Sequence, residues 1–143
     1  MPTSYEARLQ TVDGGPTGLG SSGPFTVVTD RPSAAGGGGL GFNGGQLLHL
    51  AIAACYVNDL YREGAAKGIT PTRVHAVVDG DFPAPGAAST GITVELEIVA
   101  DADQRAIREL VAHVDRIAEI PNSLRGTTDV VLRTVRIEGG VEA

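Results

Sequence analysis

Residues 43–66 read NGGQLLHLAIAACYVNDLYREGAA, and the fold is decided here. The spacing predicts a helix over residues 46–66, with Asn43 as its N-cap and Gly64 and Gly68 bracketing its end. Such a helix is roughly 30 Å long. Its first half, Leu47 through Cys55, is apolar on nearly every side. A helix of that kind is buried on more than one face. One thin sheet cannot cover it, so a second element or a second subunit is expected over it. An obligate homodimer follows as the expectation, because surfaces this apolar are typical of obligate interfaces.

Working outward, residues 4–12 (SYEARLQTV) and 24–30 (PFTVVTD) read as strands, with a turn-rich stretch from Asp13 to Gly23 between them. Residues 31–45 form a long glycine-rich connection into the helix. Beyond the helix, residues 72–82 and 90–100 alternate as strands. In the second of these, Ile92, Val94, Leu96 and Ile98 point inward, and Thr93, Glu95 and Glu97 point outward. Residues 102–120 carry apolar positions at helical spacing, with Asp101 and Gln104 suggesting a capping box and Pro121 ending the helix. Residues 127–138 form a last strand whose alternation shifts near Arg133, as a bulge would shift it. The order β-β-α-β-β-α-β implies an α+β fold with a mostly antiparallel sheet. The chain of 143 residues has the length of one domain, taken as 1–143.

Composition narrows the chemistry. The net charge is −6, and there is no basic tract, so a nucleic-acid partner is not expected. The first ten residues lack the basic start and apolar stretch of a secretory leader. The longest near-apolar run, Leu47 to Val57, is too short to span a bilayer, so the expected location is the cytoplasm. A single cysteine, Cys55, excludes an internal disulfide framework and a cysteine-rich zinc site. His49, His75 and His113 are scattered, and no metal or cofactor is expected. Two G-x-G-x-x-G matches, at 18–23 and 36–41, lack the strand–helix context of dinucleotide binding.

Cys55 itself lies too deep in the helix for the helix dipole to activate it, so a reactive thiol needs a cation from elsewhere in the fold. His49, six residues earlier, is on a different face and is not its partner.

Two segments resemble the OsmC/Ohr family, the osmotically inducible and organic hydroperoxide resistance proteins. They are GFNGGQLLHLAIAACYVNDLYREGAAKGI, from Gly41 to Ile69, and AEIPNSLRGTTDVVLRTVRI, from Ala118 to Ile137. The resemblance covers roughly residues 24–138. It implies an OsmC-like intertwined homodimer, active sites at the subunit interface, and thiol-dependent reduction of organic hydroperoxides within an oxidative stress response. By that resemblance Cys55 is the peroxidatic cysteine. Gly45 stands where the family has a glutamate, and Ile120 where it has the second, resolving cysteine. The family's N-terminal arginine belongs in the loop Gly14–Gly20, which holds none. Arg8 and Arg31 are the nearest substitutes. A one-cysteine peroxidase of weak activity, dependent on an external thiol reductant, is therefore expected. The rival expectation is a non-catalytic dimer of the same fold that holds a small apolar or acyl ligand at its interface.

Overall fold

The computed structural model describes residues 2–139. The described residues form two compact units, divided between Leu48 and His49.

The first unit is a three-stranded antiparallel sheet of β1 (Arg8–Thr11), β2 (Gly18–Ser22) and β3 (Phe25–Thr29) in that order. Strand β2 falls in the stretch expected to be only turns. Its residues, GLGSS, are weak strand formers, and pairing on both sides makes the strand: Gly20 stands opposite Leu9 on one flank and Val27 on the other. Small residues are required there, since a Cβ on Gly18 would come within 2.9 Å of Leu9 Cδ2. Ser22 pairs with Phe25 across a two-residue loop whose Gly23 has φ +55°, the left-handed start that a tight hairpin takes from glycine. Among the described residues, every buried hydrophobic side chain lies at Ile52 or later, so this sheet has none of its own. Tyr5, Leu9, Phe25 and Leu40 are all more than half exposed.

Helix α1 (Gly44–Ala66) begins two residues before the predicted start. Its N-terminus is a reciprocal capping box. Asn43 Oδ1 accepts from the Gln46 amide and Gln46 Oε1 accepts from the Asn43 amide, each at 2.9 Å.

The second unit has a three-stranded sheet in the order β4 (Pro71–Gly80), β5 (Ile92–Ala100), β6 (Val130–Glu138). β4 and β5 are antiparallel, but β5 and β6 are parallel. The predicted mostly antiparallel sheet is thus two sheets, one of them mixed. A parallel neighbour needs a crossover, and α2 (Gln104–Ile117) and α3 (Glu119–Leu124) supply it. The expected single helix over 102–120 breaks at Ala118, whose ψ of 110° is extended. Pro121 lies in the first turn of α3, where a missing N–H costs nothing. The cap of α2 is Asp103, whose carboxylate accepts from the Arg105 and Ala106 amides, rather than Asp101. Arg133 is the bulge residue, since Val94 pairs with Leu132 and Glu95 with Thr134.

The core of this unit combines the inward face of β5, from Ile92 to Ala100, with Ile107, Leu110, Val111 and Val114 of α2. Helix α1 contributes Ile52, Tyr56, Leu60 and Gly64, one stripe at a spacing of four. Each such aliphatic side chain contributes about 1.5–3 kcal/mol through burial. Gly64 is required for the close return of the chain, since a Cβ there would lie 2.4 Å from the Ile69 carbonyl oxygen. Other apolar positions of α1 are only partly covered within the chain: Leu47, Leu48 and Val57 are half-buried, Leu50 is 49% exposed and Tyr61 39%.

Candidate active site around Cys55

Cys55 is half-buried on α1, one residue before the core tyrosine and four before Asp59. The spacing of four stacks Cys55 and Asp59 on one helix face. The thiol Sγ lies 3.9 Å from Asp59 Oδ2. Asp59 is a buried carboxylate, only 3% exposed, and its other oxygen takes the Arg62 guanidinium at 3.0 Å. Burial pushes the Asp59 carboxyl above its ordinary range, against the pull of Arg62.

The break between α2 and α3 completes the site from the other side. The backbone amides of Ile120 and Glu119, at that break, favour the thiolate. The break also brings the Glu119 carboxylate, which opposes it. The donor atoms of Cys55, Asp59 and Glu119 all lie within 4.8 Å of one another. One divalent ion is small enough to touch all three. Burial is the largest influence on Cys55 and pushes its thiol up. The two carboxylates add to that, and the two amides do not cancel it. The cation that the sequence required for an activated thiol is not supplied by the named neighbours: Arg62 is engaged with Asp59 and Glu63.

The expected substitutes for the missing arginine have other partners. Arg8 is exposed and paired with Glu6, and Arg31 donates to the Ala35 carbonyl. Gly45 lies in the first turn of α1 and brings no carboxylate. Ile120, at the position where the resemblance leads one to expect a resolving cysteine, is 39% exposed. His49 stacks edge-on against Phe82 with centroids 6.4 Å apart, and His113 pairs with Glu63 at 3.0 Å. His75 is exposed opposite Glu97 on β4. Glu95 and Glu97 are tied to Arg133 and Arg73 on the outer face of the sheet.

Two groupings go beyond the sequence expectations. One is Asp59 and Glu119 beside Cys55: the step of four to Asp59 is readable in the helix, but Glu119 comes there only through the tertiary fold. The other is a node on the opposite side of Tyr56. The Tyr56 hydroxyl donates to Asp115 Oδ1 at 2.5 Å. Arg125 donates to that same oxygen, to the Tyr56 hydroxyl, to the carbonyls of Asp115 and Val130, and to Asn122. One guanidinium thus joins α1, α2, α3 and β6. In the first unit, Asp30 plays a comparable part for the glycine-rich connection. It is 5% exposed and accepts from Thr17 Oγ1 and from the amides of Arg31, Gly38 and Leu40. Burial alone would push its carboxyl up, but these four donors together hold it below the ordinary range.

The model of the family described as OsmC-like protein matches residues 36–133. The chain belongs to that family. Solved structures agree on the OsmC-like fold. An OsmC-like protein of Mycoplasma pneumoniae superposes with a TM-score of 0.80 at 21% identity, covering 95% of this chain and 99% of its own. An organic hydroperoxide resistance protein of Legionella pneumophila gives 0.69 at 22%, covering 94% and 97%. OhrB, the organic hydroperoxide resistance protein of Bacillus subtilis, gives 0.63 at 22%, covering 95% and 98%. No curated protein matches the sequence. Among the described residues of this OsmC-like chain, no helix is long and apolar enough to cross a membrane.

Proposed function

We propose that the protein is a one-cysteine, thiol-dependent hydroperoxide reductase of low intrinsic rate, working as a cytoplasmic homodimer in defence against oxidants. The observation that carries this reading is Cys55, half-buried on the central helix of an OsmC-like fold. The relatives named for organic hydroperoxide resistance support the choice of substrate. In the proposed reaction the Cys55 thiolate attacks the terminal oxygen of an alkyl hydroperoxide. An S–O bond forms, the O–O bond breaks, and the alkoxide leaves with a proton as the alcohol. Cys55 is oxidised to the sulfenic acid. Ile120 offers no resolving thiol, so an external thiol condenses with the sulfenic acid, releasing water and leaving a mixed disulfide. A second thiol restores Cys55 and departs as the external disulfide. The rate is low because a thiol raised by burial and two carboxylates is mostly protonated at neutral pH.

The dimer is supported by the exposed apolar residues on α1 and by the first unit, which among its described residues has no buried hydrophobic side chain. Sedimentation at micromolar concentration should show a dimer; a stable folded monomer would reject it.

The function is tested with cumene hydroperoxide and dithiothreitol. Turnover should be measurable in the wild type and absent in Cys55→Ser, whose melting temperature should be nearly unchanged. No turnover with any thiol donor rejects the enzymatic reading. A second reading, binding of a small apolar or acyl ligand without turnover, is favoured by the acidic neighbours of Cys55 and by a groove of about 340 Å³ in the first unit. That groove is lined by Leu9, Phe25, Val27 and Leu47.

A further inference from the structure

We infer that Asp59 and Glu119 make the Cys55 site charge-selective: it accepts uncharged peroxides and thiols and turns away anionic ones, such as hydroperoxides or thiols that carry a carboxylate. The inference rests on the reading of Cys55 as the reacting group. The argument is geometric. Any atom that reaches Sγ must come within a few ångströms of two carboxylates whose oxygens lie within 4.8 Å of the sulfur and of each other. One is buried and the other exposed, so they flank the approach at two depths. Arg62 offsets part of this charge, but it is shared. It pairs with Asp59 and Glu63, and its charge acts on Glu119 as well. Glu63 also takes His113 at 3.0 Å, and Asp59 and Glu119 against the one shared guanidinium leave a negative surplus beside the sulfur, which the thiolate itself increases. A unit charge about 5 Å away in water changes the local concentration of an anion by roughly fourfold. Partial exclusion of water strengthens that effect, and salt weakens it.

Glu119 is the residue best placed to set the selectivity. It is exposed, so its replacement does not disturb the core, and its position at the start of α3 brings its carboxylate within 4.8 Å of the sulfur. An uncharged alkyl hydroperoxide meets no such barrier, and its alcohol product leaves uncharged.

The test uses iodoacetamide and iodoacetate, which have nearly the same shape and differ by one negative charge. Both react with the thiolate, so the ratio of their rates is independent of the thiol pKa. The reference is the same cysteine in the urea-unfolded chain. The native iodoacetamide-to-iodoacetate ratio should exceed the unfolded ratio by about tenfold at low ionic strength and shrink in about 0.5 M salt. Glu119→Gln should lower it by about fourfold, and Glu119→Lys should lower it further. A native ratio equal to the unfolded one overturns the inference, as does failure of both reagents to reach native Cys55. A raised ratio that Glu119→Gln leaves unchanged removes Glu119 from the proposal and overturns it as stated. A raised ratio that falls in Glu119→Gln, in a protein with no hydroperoxide turnover, upholds the charge selection and rejects only the peroxidase reading.

Discussion

Cys55 and Tyr56 are consecutive residues of one helix, and their side chains sit in opposite electrostatic surroundings. Tyr56 is fully buried, and its hydroxyl ends in a closed network in which Asp115 and Arg125 offset each other. Burial and the Asp115 carboxylate together push its phenol far above the ordinary tyrosine range, so it stays protonated and acts as a donor. Cys55 is half-buried among carboxylates with a shared guanidinium, and a charge on its sulfur is opposed by its surroundings. A 100° step along the helix separates a charge-balanced joint from a charge-surplus pocket. The joint holds four elements together, and the pocket governs what reaches the thiol.

The largest effect should be seen with pH at the pocket. The folded thiol is raised, so the uncharged form prevails through neutrality and thiolate accumulates only as pH climbs. Alkylation of Cys55 by iodoacetamide should therefore rise about a hundredfold between roughly pH 6 and 8, without a plateau. A plateau below pH 8 would reveal a cation acting on the sulfur and would erase the contrast between the two sites.

At the joint, Arg125→Ala should cost about 2–3 kcal/mol of folding stability, read from denaturant unfolding. It strands Asp115 and frees two backbone carbonyls at once. The ion pair is only partly buried, with side chains 28% and 32% exposed, so the loss should fall short of that for a fully buried pair. Tyr56→Phe should cost about 1 kcal/mol, the worth of one hydrogen bond. Neither change should alter the pH dependence of Cys55 alkylation. If Arg125→Ala shifts it, the two sites are coupled.

The smallest effect should come from Asp59→Asn. Removing a carboxylate 3.9 Å from the sulfur should lower the thiol pKa and move the alkylation profile to lower pH. Asp59 is itself raised by burial, so as pH rises above its unfolded value its ionisation works against the fold. Its neutral replacement should therefore leave stability at pH 7 unchanged or slightly higher, as judged by the melting temperature. An upward shift of the alkylation profile would show that Asp59 supports the thiolate.

The second unit was the more legible half of the fold. Alternation on β5 and helical spacing on α2 repeat over enough residues to identify themselves, and the broken alternation near Arg133 located the bulge. The family was legible too, because Ala53-Ala54-Cys55 and Arg125-Gly126 sit in long matching contexts. Strand β2 was hidden because GLGSS is made strand by its neighbours and carries no pattern of its own. The break at Ala118 was hidden because a proline in the first turn of a new helix looks the same in sequence as one that ends the old helix.

By itself the sequence determined that these 143 residues hold one thiol and that it lies on an apolar central helix. These follow from residue identity and from helical period, which are local. Only the tertiary structure decided what surrounds that thiol. Glu119 is 64 positions away, and it reaches Cys55 because the chain turns at Ala118. Charge acts through space at a few ångströms, so an anionic or a cationic setting for one sulfur is fixed by which distant elements meet there.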